Sequence, residues 1–195
     1  MAVRDSAATR SRLIEAATAD FATYGIAGAR VDRIAANAGV NKAQLYAYFG
    51  DKLGLFDAVF RLHADAVVAE LPFAAEGLSD YATGLYDASA RHPDLGRLLM
   101  WARLEGAAAR DLVRNPIASE RKVRAIREAQ QSGVLVDTID ASDVLALTTA
   151  MALAWSTTDT GAGKGTAEKH AERERRSLAE AVRRAFYRSP AAPDS

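Results

Sequence analysis

Between Arg30 and Lys52 the chain gathers side chains suited to a polyanion: Arg30, Lys42, Gln44, Tyr46, Tyr48 and Lys52, with small Ala43 and Ala47 among them. Guanidinium, ammonium and phenolic groups bond phosphate oxygens, a glutamine amide can pair with two edge atoms of adenine, and an alanine methyl can touch thymine. That chemistry is recognition and makes no covalent bond. Asn41 and Gln44 also form an N-x-x-Q capping box, in which Gln44 reaches back to the Asn41 amide. Gln44 thus carries two readings, base contact or helix cap, and both stay open.

Such a set needs a short helix that shows most of its surface. Val31, Ile34, Ala35 and Ala38 recur at helical spacing and predict a first short helix with one apolar face. Gly39 then supplies a residue that takes positive φ at a helix end. Val40 is expected as a buried staple. Leu45 and Phe49, four apart, form the inner face of the second helix, which leaves Lys42, Ala43, Gln44, Tyr46, Ala47 and Tyr48 to point elsewhere. Helix, glycine turn and second helix make the helix-turn-helix pattern, whose second helix enters the DNA major groove.

Ile34-Ala35-Ala36-x-Ala38-Gly39-Val40, then Leu45-Tyr46-x-Tyr48-Phe49, then Lys52-x-x-Leu55-Phe56, resembles the TetR family of bacterial transcriptional repressors. The likeness begins near Arg12, with Leu13-Ile14-x-Ala16-Ala17, Phe21 and Gly25, and covers roughly the first quarter of the chain. By that resemblance Tyr46 and Lys52 occupy positions that touch phosphates. Two departures stand out. The family usually has Thr or Ser just before the second helix, where Ala29-Arg30 stand here. It commonly has Gly or Pro followed by Thr or Ser early in the reading helix, where Ala43-Gln44 stand.

Composition narrows the classes. A chain of 195 residues suits one or two small domains, and 49% hydrophobic with 26% charged residues is ordinary for a globular protein. The absence of cysteine removes disulfides and thiolate metal sites and fits a reducing cytosol. Arg4, Asp5, Arg10 and Arg12 interrupt any apolar leader, and the uncharged run from Val144 to Thr158 is too short and Thr-rich to span a bilayer. Net charge is zero, but binding depends on a local patch. Arg4, Arg10, Arg12, Arg30, Arg33, Lys42 and Lys52 all fall in the first quarter.

The remaining elements follow in order. Residues 1–8 read as disordered. A first helix from about Thr9 to Tyr24 carries Leu13, Ala17, Phe21 and Tyr24 on one stripe, ended by Gly25. Asp51 can cap a fourth helix with Phe56, Val59, Phe60, His63 and Val67 at helical spacing. Leu78, Tyr81, Leu85 and Ala88 mark the next, and Pro93 opens one that runs through Leu104. Asn115-Pro116 opens another, ending at Gly133. Asp140 caps a helix carrying Val144, Leu147, Met151, Ala154 and Trp155, and a last helix runs from about Thr166 to Tyr187. The fold expected is all-α, with about nine helices.

Other candidates are weaker. Gly161 to Thr166 tempts a phosphate-loop reading, but position 158 is Thr and the segment follows a helix where that motif needs a strand, so it reads as a flexible link. Phe60, His63, Tyr81, Leu85, Tyr86, Met100, Trp101, Leu104 and Trp155 could line an effector pocket, with Arg103 and Glu105 near them; taken one by one, the aromatics read more readily as core. His63, His92 and His170 show no metal-ligand spacing, and no cofactor is expected. Glu168 to Arg176 read as a solvated half-helix, before a stripe of Leu178, Val182, Ala185 and Phe186.

The expectation is a cytoplasmic, homodimeric regulator, not an enzyme and not membrane-bound, released from double-stranded operator DNA by a small molecule. Residues 1–50 would bind DNA, 51–188 would hold effector and dimer surfaces, and 189–195 would be a disordered tail. By resemblance, the last two helices would pair with their symmetry mates through Leu147, Met151, Leu178, Val182, Ala185 and Phe186, and effector binding would tilt the fourth helix. The rival is a small all-α enzyme or small-molecule carrier. The absence of a catalytic constellation weighs against it.

Overall fold

The computed structural model describes residues 2–105, 116–155 and 164–188. Among them run nine helices: α1 (Ala2–Gly28), α2 (Val31–Asn37), α3 (Lys42–Phe49), α4 (Lys52–Glu70), α5 (Leu78–Arg91), α6 (Pro93–Leu104), α7 (Pro116–Gln131), α8 (Ala141–Ala152) and α9 (Lys164–Phe186). No strand occurs among the described residues beyond one isolated antiparallel bridge, Leu135 to Tyr187. The all-α expectation holds. The chain forms two compact units, Met1–Val67 with His92–Arg114, and Val68–Arg91 with Asn115–Ser195. The first therefore runs past residue 50 and takes in most of α4 and all of α6.

The first unit packs α1 against the three helices that follow it and against α6. Leu13, Ile14, Ala17 and Phe21 of α1 meet Ile34, Ala35, Leu45, Leu55, Phe56 and Val59, with Leu98 and Ala102 from α6 in the same core. Phe21 meets Phe56 edge-on at 5.3 Å, a favoured aromatic geometry. The structure corrects two details of α1. It begins at Ala2, where residues 1–8 were expected to be disordered. Tyr24 is 49% exposed, outside the buried stripe, because the helix breaks at the next residue. Gly25 lies at φ 71°, ψ −179°, and one further turn follows it to Gly28. A Cβ at Gly25 would collide with the Glu105 carboxylate and the Trp101 ring, so α6 approaches the backbone there as only glycine permits.

The second unit packs α5, α7, α8 and α9 around Leu78, Ala82, Ile126, Val144, Leu178, Val182 and Phe186. Pro116 opens α7, and Asn115 lies outside the described residues, as do Gly161–163 and the 189–195 tail. Lys164-Gly165-Thr166 form the start of α9 rather than a loop. Asp140 caps α8 as expected, its carboxylate accepting the Ser142 N–H at 2.8 Å. The Ser142 hydroxyl, donating to the same oxygen at 2.5 Å, and after it that N–H bond hold the carboxyl below its usual range. Ala154 and Trp155 fall beyond α8, which ends at Ala152.

Two expectations about α9 are overturned. Leu178, Val182 and Phe186 are 1%, 0% and 1% exposed, packed inside their own subunit, so they are not available to a symmetry mate. Glu174, placed by the sequence in a solvated half-helix, is only 8% exposed. It precedes Leu178 by four residues and so shares the buried stripe.

Candidate nucleic-acid interface

The helix-turn-helix is α2, the turn at residues 38–41, and α3. Gly39 takes φ 66°, which lets the chain reverse within a few residues. Val40 is half-buried against the core, less than the full burial expected. In α3 only Leu45 is fully buried, with Phe49 half-buried beside it. Lys42, Ala43, Gln44, Tyr46, Ala47 and Tyr48 are all exposed, as the spacing predicted. A helix this short gains little stability from its own hydrogen bonds. Leu45, Phe49 and the caps therefore hold it in place.

The caps are visible. The Gln44 N–H donates to Asn41 Oδ1 at 2.8 Å and the Asn41 N–H to Gln44 Oε1 at 3.4 Å, so the capping box is formed. The long second bond ties the Gln44 side chain only loosely. At the far end, the Gly54 N–H donates to Asp51 Oδ1 at 2.7 Å, which makes Asp51 the cap of α4.

The remaining candidates divide by what holds them. Lys42 pairs with Asp32 at 3.0 Å on the surface, and the bond to Asp32 raises its pKa. The Tyr48 hydroxyl donates to Ser6 Oγ at 3.1 Å, and the Arg10 guanidinium lies over the Phe49 ring at 5.5 Å, so the start of α1 adjoins α3. Tyr46 is 40% exposed. Lys52 is half-buried and donates to the carbonyls of Ala27 and Ala29, at 3.1 and 3.3 Å. Arg30 is exposed and sits at the N-cap of α2 without a side-chain cap of its own.

Sequence reasoning missed Asp20. Its carboxylate accepts the Arg30 N–H at 3.1 Å and both Nε and a terminal nitrogen of Arg33, the latter at 2.9 Å. That bond to Asp20 raises the Arg33 pKa. Arg33 in turn lies over the Tyr24 ring at 4.0 Å. Asp20 thus supplies from α1 the N-terminal acceptor for α2 that a Thr or Ser before the helix would otherwise provide. The signal was an acidic residue beside Phe21 in the helix's apolar stretch.

The effector candidates fall into both units. Phe60 is buried and His63 half-buried in the first, with Trp101 donating its indole N–H to the Ala22 carbonyl at 3.3 Å. Met100 and Leu104 are exposed, at 43% and 72%. Arg103 is exposed, while Glu105 accepts the Ala27 N–H at 2.6 Å. In the second unit Tyr81 is buried, and Leu85, Tyr86 and Trp155 are half-buried. Tyr81 accepts from Lys122 at 2.6 Å, and Tyr86 donates to Glu174 at 2.7 Å. Leu147 is 44% exposed on α8, and Met151 and Ala185 are half-buried. Among the described residues no group of three His, Asp or Glu side chains is placed to hold a metal ion. No helix there is long and apolar enough to cross a membrane.

A glycine-turned helix pair whose second helix shows six side chains to solvent defines a helix-turn-helix DNA-binding regulator. Residues 13–59 match the family of bacterial regulatory proteins, tetR family, and residues 77–184 match the tetracyclin repressor-like C-terminal domain. The chain belongs to the tetR family of transcriptional regulators. It is 43% identical over 155 residues to the HTH-type transcriptional repressor SCO4008 of Streptomyces coelicolor, covering 78% of this chain and 80% of that one. It is 32% identical over 112 residues to the HTH-type transcriptional regulator RutR of Escherichia coli, about half of each chain. The crystal structure of the transcriptional regulator SCO4942 of Streptomyces coelicolor superposes with a TM-score of 0.74 at 34% identity, covering 93% of this chain and 99% of that one.

Proposed function

We propose that the chain is a homodimeric repressor that binds a palindromic operator through α3 and is released by a small-molecule effector. Arg30, Lys42, Tyr46, Tyr48 and Lys52 would bond phosphates, with Gln44, Ala43 and Ala47 toward base edges. The observation that carries this reading is α3 itself, with only Leu45 fully buried and a polar, aromatic and basic outer surface. Residues 1–50 would hold the DNA surface, and 51–188 the effector and dimer surfaces. A single short helix covers too little DNA for specific binding, whereas two on a twofold axis read half-sites about 34 Å apart.

The dimer surface moves from the buried stripe of α9 to outward residues of the last two helices. On α8 these are Ala146, Leu147 and Ala150, and on α9 Ser177 and Ala181, all exposed in the single chain. The effector would act through its differential affinity for DNA-competent and DNA-incompetent states. The role is regulatory rather than catalytic, and its place is the cytoplasm. Footprinting on the DNA upstream of its own gene, at several salt concentrations, tests the proposal. Two protected half-sites one helical turn apart, weakening steeply with salt, are expected. The absence of protection at low salt would refute it.

A further inference from the structure

Glu174 is the one carboxylate of α9 that is almost wholly removed from water, at 8% exposure. A buried carboxylate is ordinarily paired with a cation. Among the described residues Glu174 forms no ion pair, and its bond is to a neutral phenol, the Tyr86 hydroxyl donating at 2.7 Å. The neighbouring guanidinium, Arg175, is engaged elsewhere, with Asp87 at 3.0 Å. Burial first, and then the bond to Glu174, push the Tyr86 hydroxyl up to about 12. It therefore keeps its proton and meets Glu174 as a neutral donor, while the Arg175 guanidinium, paired with Asp87, acts on the phenol in the opposite sense. The Tyr86 ring is packed edge-to-face with Trp155 at 6.0 Å, and both rings are half-buried.

An unpaired buried anion beside two electron-rich rings is what recognises a quaternary ammonium or protonated amine. We propose that Glu174, Tyr86 and Trp155 form the binding site for an organic cation, which supplies the counter-charge the fold withholds. The proposal rests on the reading of the chain as effector-responsive and names the chemical class of that effector. Lys122 makes cation-aromatic contacts elsewhere in this unit, over Tyr81 at 4.7 Å and Phe73 at 5.7 Å, but there the cation is built in. At Glu174 the rings and the carboxylate are present and the cation is left to the ligand.

Two isosteric probes separate charge from shape: benzyltrimethylammonium and neopentylbenzene, which differ only by nitrogen for carbon. Calorimetric titration of the full chain, without DNA, should show the cation binding at least tenfold more tightly than the neutral isostere. Glu174→Gln should abolish that preference, with circular dichroism checking the fold, whereas Trp155→Leu should weaken both probes, the cation more than its neutral isostere. Equal binding of the two probes by the wild-type chain, or a preference that survives Glu174→Gln, would overturn the proposal. The wild-type comparison decides even if the variant does not fold. A DNA-binding assay separates the two readings. A Glu174-dependent preference without loss of DNA affinity would keep the cation site and refute its role as the effector site.

Discussion

The Lys52 ammonium donates to the carbonyl of Ala27 at 3.1 Å, closing the turn that leads from α1 into α2. The side chain that resemblance assigns to a DNA phosphate is therefore also a structural tie, since Ala29 accepts from it as well. An ammonium carries three donors, so the two roles are compatible.

Lys52→Ala should consequently show two losses. Thermal stability should fall by about 1 kcal/mol through the missing hydrogen bonds. DNA affinity should fall across all sequences, with a salt slope shallower by about one. Melting curves beside salt titrations check both. A lowered melting point with an unchanged slope would leave Lys52 with the turn alone.

Gln44 is tested by separating its two bonds. The stronger half of the capping box, 2.8 Å, uses the Gln44 main-chain N–H and survives replacement of the side chain. Gln44→Ala loses only the 3.4 Å return bond, so its stability should drop by roughly a few tenths of a kcal/mol. Asn41→Ala loses the stronger half and should cost about 1 kcal/mol. If Gln44 reads a base, its removal should relax one operator position per half-site by about 1–3 kcal/mol. Selection from randomised operators with both variants decides it. An unchanged consensus for Gln44→Ala would confine the side chain to capping.

What the sequence made legible, and what it did not, follows from the range of each signal. The helix-turn-helix depends on contacts a few residues apart, so Gly39, Asn41, Leu45 and the exposed set of α3 could be read directly. Asp20 could not, because it caps α2 from another helix, ten residues before Arg30. The stripe Leu178, Val182, Phe186 announced burial without naming its partner, because periodicity marks a buried face and not what covers it. Glu174 was hidden by its type. Its charge outweighed its register with Leu178, and only packing with Tyr86 discloses the burial.

His63 gives a pH prediction. Thr18 donates its hydroxyl to the Ile14 carbonyl, so its oxygen is left to accept from His63 Nε2 at 3.1 Å. Burial lowers the His63 pKa and outweighs the opposing pull of Asp94, with His92 adding a further lowering. The unfolded chain therefore binds the proton more readily than the folded one, and stability should fall as pH drops below about 6.5. His63→Gln keeps a donor for Thr18 and removes the titration. Its melting temperature should vary less between pH 7 and 5 than that of the wild type. Parallel slopes would show that His63 titrates alike in both states.

The last prediction distinguishes a face buried within the subunit from one covered by a partner. Val182 is 0% exposed between Leu178 and Phe186, so Val182→Glu places a charge in the interior of the second unit. The cost is several kcal/mol on typical figures. The variant should lose its folded structure rather than yield a folded monomer. Leu147 is 44% exposed on α8 and touches solvent in the single chain. Leu147→Glu should therefore leave the subunit's own stability within about 0.5 kcal/mol and act only where two chains meet. Light scattering with circular dichroism should report a folded monomer for Leu147→Glu and an unfolded or insoluble chain for Val182→Glu. A stable dimer in Leu147→Glu would move the interface off this face of α8. A folded monomer in Val182→Glu would mean that α9 gives its buried stripe to the partner after all.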